Sequence, residues 1–491
     1  MSVSAEQLNL NENYSFDVIA HTEDDHFVAH LSLSPNKITL RVMGELYEGR
    51  GKPPSWNNQA ITCSDGNAGF VLFGLKAMKS RQSVIPPRSK KRGFFEISYE
   101  ADYLIYSNNR IDEGTEFSAL TVRSDTINDW LGNTTKQEEI LTEYHSDPTL
   151  KNISVDEFEH KIENLGRIGM AYHPQVEFNS PQYKSGLSFP PYLYIVFDES
   201  KSKYETVGVY NQLHNLFVFL TGDEINLSKI ELSYRQSMSN IHNSIAWLYY
   251  PTEKFPKRYN NASVLFPRNT SLRHQFIESP ELPHDVFNLY FNSQIDERTH
   301  TSWYIEHYNI YRRRAAIEER FLGYYRLLEK LCALKSSYAD PETLELLLKK
   351  ARAFLKKRLS LNSKNVDGLI GKIKIANQQK YNSEKQILEF YRSLPQECID
   401  GWRVKQEDIE TVVNLRNDIT HANEHDTDNE TLEEYTKFVE VLLIFALSEK
   451  LGVNFEHTQS LIPRLKGYHF LRDMSEGITI VTPQKNNSNK A

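Results

Sequence analysis

A chain of 491 residues at about 150 per domain suggests roughly three units, and 25% charged with 39% apolar residues is an ordinary globular composition. The formal net charge of −8 excludes a protein that coats nucleic acid over its whole surface, but not one with a local basic site. Cys63, Cys332 and Cys398 stand too far apart for a zinc site or a disulfide framework, which fits a reducing cytosol.

The opening stretch MSVSAEQLNLNENYSF has neither the basic nor the apolar region of a signal peptide, so none is expected. Alternating apolar residues then predict half-buried strands at Tyr14 to His21, His26 to Leu33 and Lys37 to Gly44. The same period continues at Gly93 to Ser107, Phe117 to Ser124 and Pro191 to Asp198, with Gly, Pro and Asn clusters between the runs. RQSVIPPRSKKRG, from Arg81 to Gly93, is a basic, proline-containing stretch expected to form a connecting loop, with RNA or partner binding as its functional alternative. Tyr204 to Gly222 is an exception in this half, with helical spacing and a glycine stop.

Near residue 300 the period changes to 3.6. Ser302 to Leu334 is predicted as one long helix with Gly323 as its weak point. Asp340 to Leu359 begins with an N-cap aspartate and Pro341 in the first turn. Shorter helices are expected at Val366 to Asn377 and Ser383 to Leu394, then longer ones at Lys405 to Ala422 and Asn429 to Val453, the last capped by Asn429. Within it, the apolar run Val439 to Leu447 contains Glu440 and is far shorter than the ~20 residues of a membrane span. It reads as buried core or as a dimer interface. The tail QKNNSNKA has a disordered composition. The fold class expected is α+β, with a β-rich domain over residues 1–295, a helical domain over 300–455 and an extension over 456–491.

One motif carries chemistry. LRNDITH, from Leu415 to His421, places Arg416 five positions before His421 near a predicted helix end. Alone the spacing is weak, since roughly one match is expected by chance in a chain this long. Arg167 and His173, in a segment followed by Pro174, are a near-match of that kind and are set aside. Five residues rotate about 140° on an ideal helix, so Arg416 and His421 share a face only if the helix end loosens. Histidine can accept or donate a proton near neutral pH, and a guanidinium can hold a phosphate in two places. Together they suit RNA cleavage by attack of the 2′-hydroxyl on the adjacent phosphorus. A single histidine does not easily perform both proton transfers, so two facing copies would help.

These residues resemble the HEPN signature, Arg-x4-6-His with a polar residue after the arginine. Asn417 fills that polar position. The resemblance covers roughly residues 300 to 455 and implies a metal-independent endoribonuclease whose active site is built across a dimer. The first half, through HLSLSPNKITLRVMGE, FSALTVRSDTINDWLG and LFVFLTG, is similar to the partner domain of ApeA-type anti-phage proteins. Membership would imply abortive-infection defence in the cytoplasm, with host RNA cut on infection, transfer RNA as the family-level candidate and a phage-derived trigger. No cofactor is expected.

Each feature also has a plainer reading. Arg416 could pair with Asp418 or Glu424 at the surface, with His421 as a capping residue. Lys349, Lys350, Arg352, Lys356, Lys357, Arg358 and Lys364 could be a solvated helix face, although residues 349–380 are basic where 418–434 are acidic, which supports an RNA-backbone patch. The stretch Tyr311 to Arg314 offers phosphate contact or pairing with Glu318 at helical spacing, with pairing the favoured expectation. Glu318 and Glu319 are candidates to orient Arg416. The rival overall reading is a non-catalytic protein that dimerises through its helices and binds a protein or glycan through its β-rich half.

Overall fold

A computed structural model describes residues 8–472 apart from 22–24, 47–55, 57–59, 67, 86–91, 109–110, 112–113, 147–153, 180–183, 226, 236–243, 252–263, 269–280, 296–298, 334–336, 361 and 378–381. The chain divides into two units, residues 1–293 and 294–491. A β-rich first half followed by a helical second half is what the change of period predicts.

The first unit contains sixteen strands among its described residues. They are β1 (Tyr14–His21), β2 (His26–Leu33), β3 (Ile38–Leu46), β4 (Ile61–Ser64), β5 (Gly69–Phe73), β6 (Lys76–Ile85), β7 (Arg92–Ala101) and β8 (Tyr103–Ser107). After them come β9 (Glu116–Ser124), β10 (Val155–Ile162), β11 (Gly166–Tyr172), β12 (Gln175–Asn179), β13 (Lys184–Ser188), β14 (Pro191–Ser202), β15 (Leu227–Tyr234) and β16 (Ser244–Tyr249). Fourteen form one antiparallel sheet in the order β10-β11-β14-β9-β15-β16-β8-β5-β4-β1-β2-β3-β7-β6, and β12 pairs with β13. Both outermost strands carry a register shift, between Asp156 and Phe158 in β10 and between Ala77 and Lys79 in β6. In β1, Phe16, Val18 and Ala20 face the core while their neighbours face outward, as a period of two requires.

Helices α1 (Asp125–Leu131), α2 (Thr135–Ser146), α3 (Lys203–Thr221) and α4 (Val286–Asn292) complete this unit. α3 is the helix expected at Tyr204 to Gly222. Ser202 accepts from the Glu205 N–H while Glu205 reaches back to the Ser202 N–H, and Gly222 closes the other end in the left-handed region at φ 72°.

Two expectations change here. Gly93 to Ser107 is not one strand but β7 and β8, parted at Asp102. β7 pairs with β3 and β6, and β8 with β5 and β16. The basic stretch from Arg81 to Gly93 is not all loop. Arg81 to Ile85 belong to β6 and Arg92 and Gly93 to β7, because the hairpin ladder runs on to pair Ile85 with Arg92. Residues 86–91 lie outside the described residues, as does the tail QKNNSNKA.

The second unit contains α5 (Thr301–Arg312), α6 (Ile317–Leu331), α7 (Pro341–Arg358), α8 (Ser363–Asn377), α9 (Ser383–Ser393), α10 (Gln396–Ile399), α11 (Ile409–His421), α12 (Asn429–Lys450) and α13 (Phe455–Leu461). The predicted long helix is two, α5 and α6, and its break lies at residues 313–316 rather than at Gly323. Gly323 sits inside α6 because the ring of Tyr311 packs against it. A Cβ there would fall 2.2 Å from Tyr311 Cγ, so the missing side chain is what lets the two helices approach. Asp428, not Asn429, caps α12, accepting from the Thr431 N–H at 2.9 Å. Asp340 caps α7 as expected, with Pro341 in the first turn.

α12 is the axis of the unit. Every residue from Thr436 to Ser448 is buried, and α5, α6, α13 and the turn at Tyr468–Phe470 cover it within the same chain. The run Val439 to Leu447 is therefore core, and its apolar character is no argument for a dimer interface. Glu440 sits in that core because Lys437 pairs with it and the Tyr308 hydroxyl donates to it at 3.0 Å. Lys437 also donates to the Lys466 carbonyl at 2.7 Å, and Trp402 Nε1 to the Tyr468 hydroxyl at 3.0 Å. Those bonds build residues 456–472 into the unit.

Candidate active site

α6 presents one polar stripe. Glu318, Tyr325 and Glu329 are seven and four residues apart, and an ideal helix brings all three within about 40° of one another over roughly 16 Å. Arg416 on α11 meets this stripe at its far end. Its Nη2 donates to Glu329 Oε2 at 3.1 Å, and its guanidinium lies 5.2 Å from the centre of the Tyr325 ring. Its Nη1 donates to Asn417 Oδ1 at 2.9 Å. The other Glu329 oxygen accepts from the Ser383 hydroxyl, at the start of α9. Three helices thus fix one guanidinium. Burial pushes the Tyr325 phenol well above its ordinary range; the charge of Glu329 adds to this and that of Arg416 opposes it.

Neither Glu318 nor Glu319 holds Arg416. Glu318 lies 3.6 Å from His425, and Glu319 lies 3.8 Å from Arg314. The orienting carboxylate is Glu329, eleven residues beyond Glu318. Eleven residues bring an ideal helix back to within about 20°, so the stripe itself was a signal that could have found it. The same stripe carries Tyr325, whereas Ser383 had no such signal.

His421 is the last residue of α11, and Ala422 closes the helix in the left-handed region at φ 53°. That conformation costs a non-glycine residue about 1 kcal/mol. Asp418 secures the turn, accepting from the Asn423 N–H at 2.9 Å through its carbonyl and from Asn423 Nδ2 at 3.1 Å through its carboxylate. The helix therefore does not loosen before His421, and the rotation of about 140° from Arg416 is kept. Arg416 faces α6 and is half-buried, whereas His421 is exposed, with no ion pair or hydrogen bond among the described residues. A guanidinium has five N–H groups, and two of them are engaged here. Three remain for a ligand.

The basic residues on α7 divide. Arg352 is held by both oxygens of Asp367, at 2.8 Å each, Lys349 lies 3.9 Å from Glu345, and Lys356 donates to Ser363 at 3.0 Å. Lys350 and Lys357 are exposed without such partners among the described residues. Arg167, the near-match, lies in β11 and pairs with Glu159 at 3.1 Å.

A family model for ApeA N-terminal domain 1 matches residues 13–273, more than half of the chain. The chain belongs to the ApeA family. A second model, Apea-like HEPN, matches residues 322–457, which include α6, α11 and α12. No curated protein and no solved structure matches. The ApeA architecture joined to a HEPN-type domain is that of an anti-phage HEPN protein, and HEPN domains are generally ribonucleases. No helix of this ApeA-type chain, among its described residues, is long and apolar enough to cross a membrane.

Proposed function

We propose that the chain is a metal-independent endoribonuclease of anti-phage defence, cutting host RNA, with transfer RNA as the candidate substrate, after a phage-derived trigger. The observation that carries this reading is a guanidinium fixed by Glu329, Tyr325 and Asn417, with an exposed histidine five residues further on at the helix end. Arg416 holds the scissile phosphate and the charge that builds on it. His421 moves a proton, from the attacking 2′-hydroxyl or to the leaving 5′-oxygen. The O2′–P bond forms as the P–O5′ bond breaks, giving a 2′,3′-cyclic phosphate and a 5′-hydroxyl.

Because the two side chains leave α11 about 140° apart, two copies of the chain are needed to surround one phosphate. Asn417 fixes the fork of Arg416, and Lys349, Lys350, Lys356 and Lys357 are candidates for the RNA backbone. Arg352, engaged by Asp367, contributes less than its charge suggests.

Among the described residues no group of three or more His, Cys, Asp or Glu side chains is placed to hold a metal. Cleavage is accordingly expected to continue in EDTA and to leave cyclic phosphate ends, read by sequencing RNA termini with and without end repair. Activity lost in EDTA and restored by magnesium would assign the chemistry elsewhere. Glu329 is a positioning residue on this reading. Glu329→Gln should lower kcat roughly 10-fold with little change in KM, and Glu329→Asp should recover part of it. An unchanged kcat would remove Glu329 from the site.

A further inference from the structure

In the helical unit, the large apolar side chains left exposed gather in one place. Among the described residues they are Tyr338, Leu346, Leu347, Phe354, Leu359 and Ile375, all on or beside the α7–α8 hairpin. The eighteen residues of α7 bury only Leu348, and α8 buries only Val366 and Asn377. The hairpin is tied to itself. Arg352 bonds Asp367 and Lys374 bonds Glu345 between its helices, while Asn377 closes its base through the N–H and carbonyl of Ala339. Helices draw most of their stability from a covered apolar face, and this pair covers almost none.

We propose that the α7–α8 hairpin is the surface through which two copies of this chain pair. The proposal rests on the reading that two copies act together, but not on which reaction they perform. Leu347 and Phe354 are seven residues apart, within about 20° on one stripe, and the small Ala351 lies between them. An antiparallel pairing about a two-fold axis beside Ala351 sets Leu347 of each copy against Phe354 of the other.

Charge selects that direction and that occupant. Asp340, Glu342 and Glu345 occupy the first half of the helix region, while Lys349, Lys350, Arg352, Lys356, Lys357 and Arg358 occupy the second. Antiparallel copies bring Glu342 of each beside Arg358 of the other, where parallel copies would stack like charges. Leucines at 346 and 347 offer nothing to an RNA backbone, so the stripe favours a protein surface of its own kind.

Light scattering at micromolar concentration tests this on the full chain. Wild type should run at twice the chain mass, and Leu347→Glu with Phe354→Glu at once the chain mass with unchanged circular dichroism. Ala351→Cys should cross-link copies on mild oxidation, because Cys63, Cys332 and Cys398 are all buried. Glu342→Cys should not, since nine residues place it about 13 Å from the axis along the helix. The cross-link decides the matter should the double substitution fail to fold. A monomeric wild type, a double variant that stays dimeric, or a dimer that Ala351→Cys does not trap would overturn the surface. A double variant that is monomeric yet cleaves RNA at full rate supports the surface and removes the two-copy site. One that stays dimeric and active removes the surface and leaves the two-copy site intact.

Discussion

Arg416→Ala and His421→Ala are each expected to abolish RNA cleavage, by at least ~100-fold, with circular dichroism and thermal unfolding close to wild type. The loss follows from separate roles. On the proposed reading Arg416 would meet the phosphate with its charge, and His421, exposed at the end of α11, would transfer the proton. Folding should survive because His421 is exposed, and removing Arg416 leaves Glu329 still bonded to Ser383. Full cleavage by folded His421→Ala protein would sink the assignment. Mixing the two inactive chains adds a second readout. If each copy supplies a different group to one phosphate, mixed dimers regain part of the activity, whereas independent sites regain none.

Lys437→Met is expected to be among the most destabilising single changes in the helical unit. It leaves the Glu440 carboxyl in the middle of α12 with the Tyr308 hydroxyl as its remaining hydrogen-bond partner among the described residues, and it frees the Lys466 carbonyl. Breaking a buried pair from one side costs about 3–5 kcal/mol. For a unit of this size that lowers the melting temperature by on the order of 10 °C. Pairing the change with Glu440→Leu should restore much of the loss, because no charge is then stranded, although Tyr308 still lacks its acceptor. Differential scanning calorimetry of both variants decides it. A single variant that melts within a degree or two of wild type would show that Lys437 does not neutralise Glu440.

The division into strands and helices was readable because burial imposes a period, and Phe16, Val18 and Ala20 alternate just as Phe321, Tyr324, Tyr325 and Leu328 recur at a helical interval. Strand order was not, since β8 pairs with β16 across more than a hundred residues and no local pattern records that choice. The break between α5 and α6 was missed because glycine is a poor helix former in isolation, yet Gly323 answers to Tyr311 packed against it. At the site, Arg416 and His421 stood out through their spacing together with their place near a predicted helix end, and Asn417 through the HEPN resemblance. Glu329 did not, although it shares a stripe with Glu318, because charge on a helix does not say which neighbour will arrive. The apolar run in α12 suggested an interface only because a sequence cannot show that three other helices already cover it.

The register shifts in β10 and β6 bear on what this protein avoids. A sheet with two outer strands presents two rows of backbone donors and acceptors that could template the addition of further chains, the first step towards fibrils. β10 carries Asp156, Glu157 and Glu159, and β6 carries Lys76, Lys79 and Arg81, so each margin repels its own kind. The opposite signs would still draw one margin to the other. Each bulge lies where an outer strand pairs with its inner neighbour, and the bend and added twist it brings disfavour a long straight ladder between two chains that meet edge to edge.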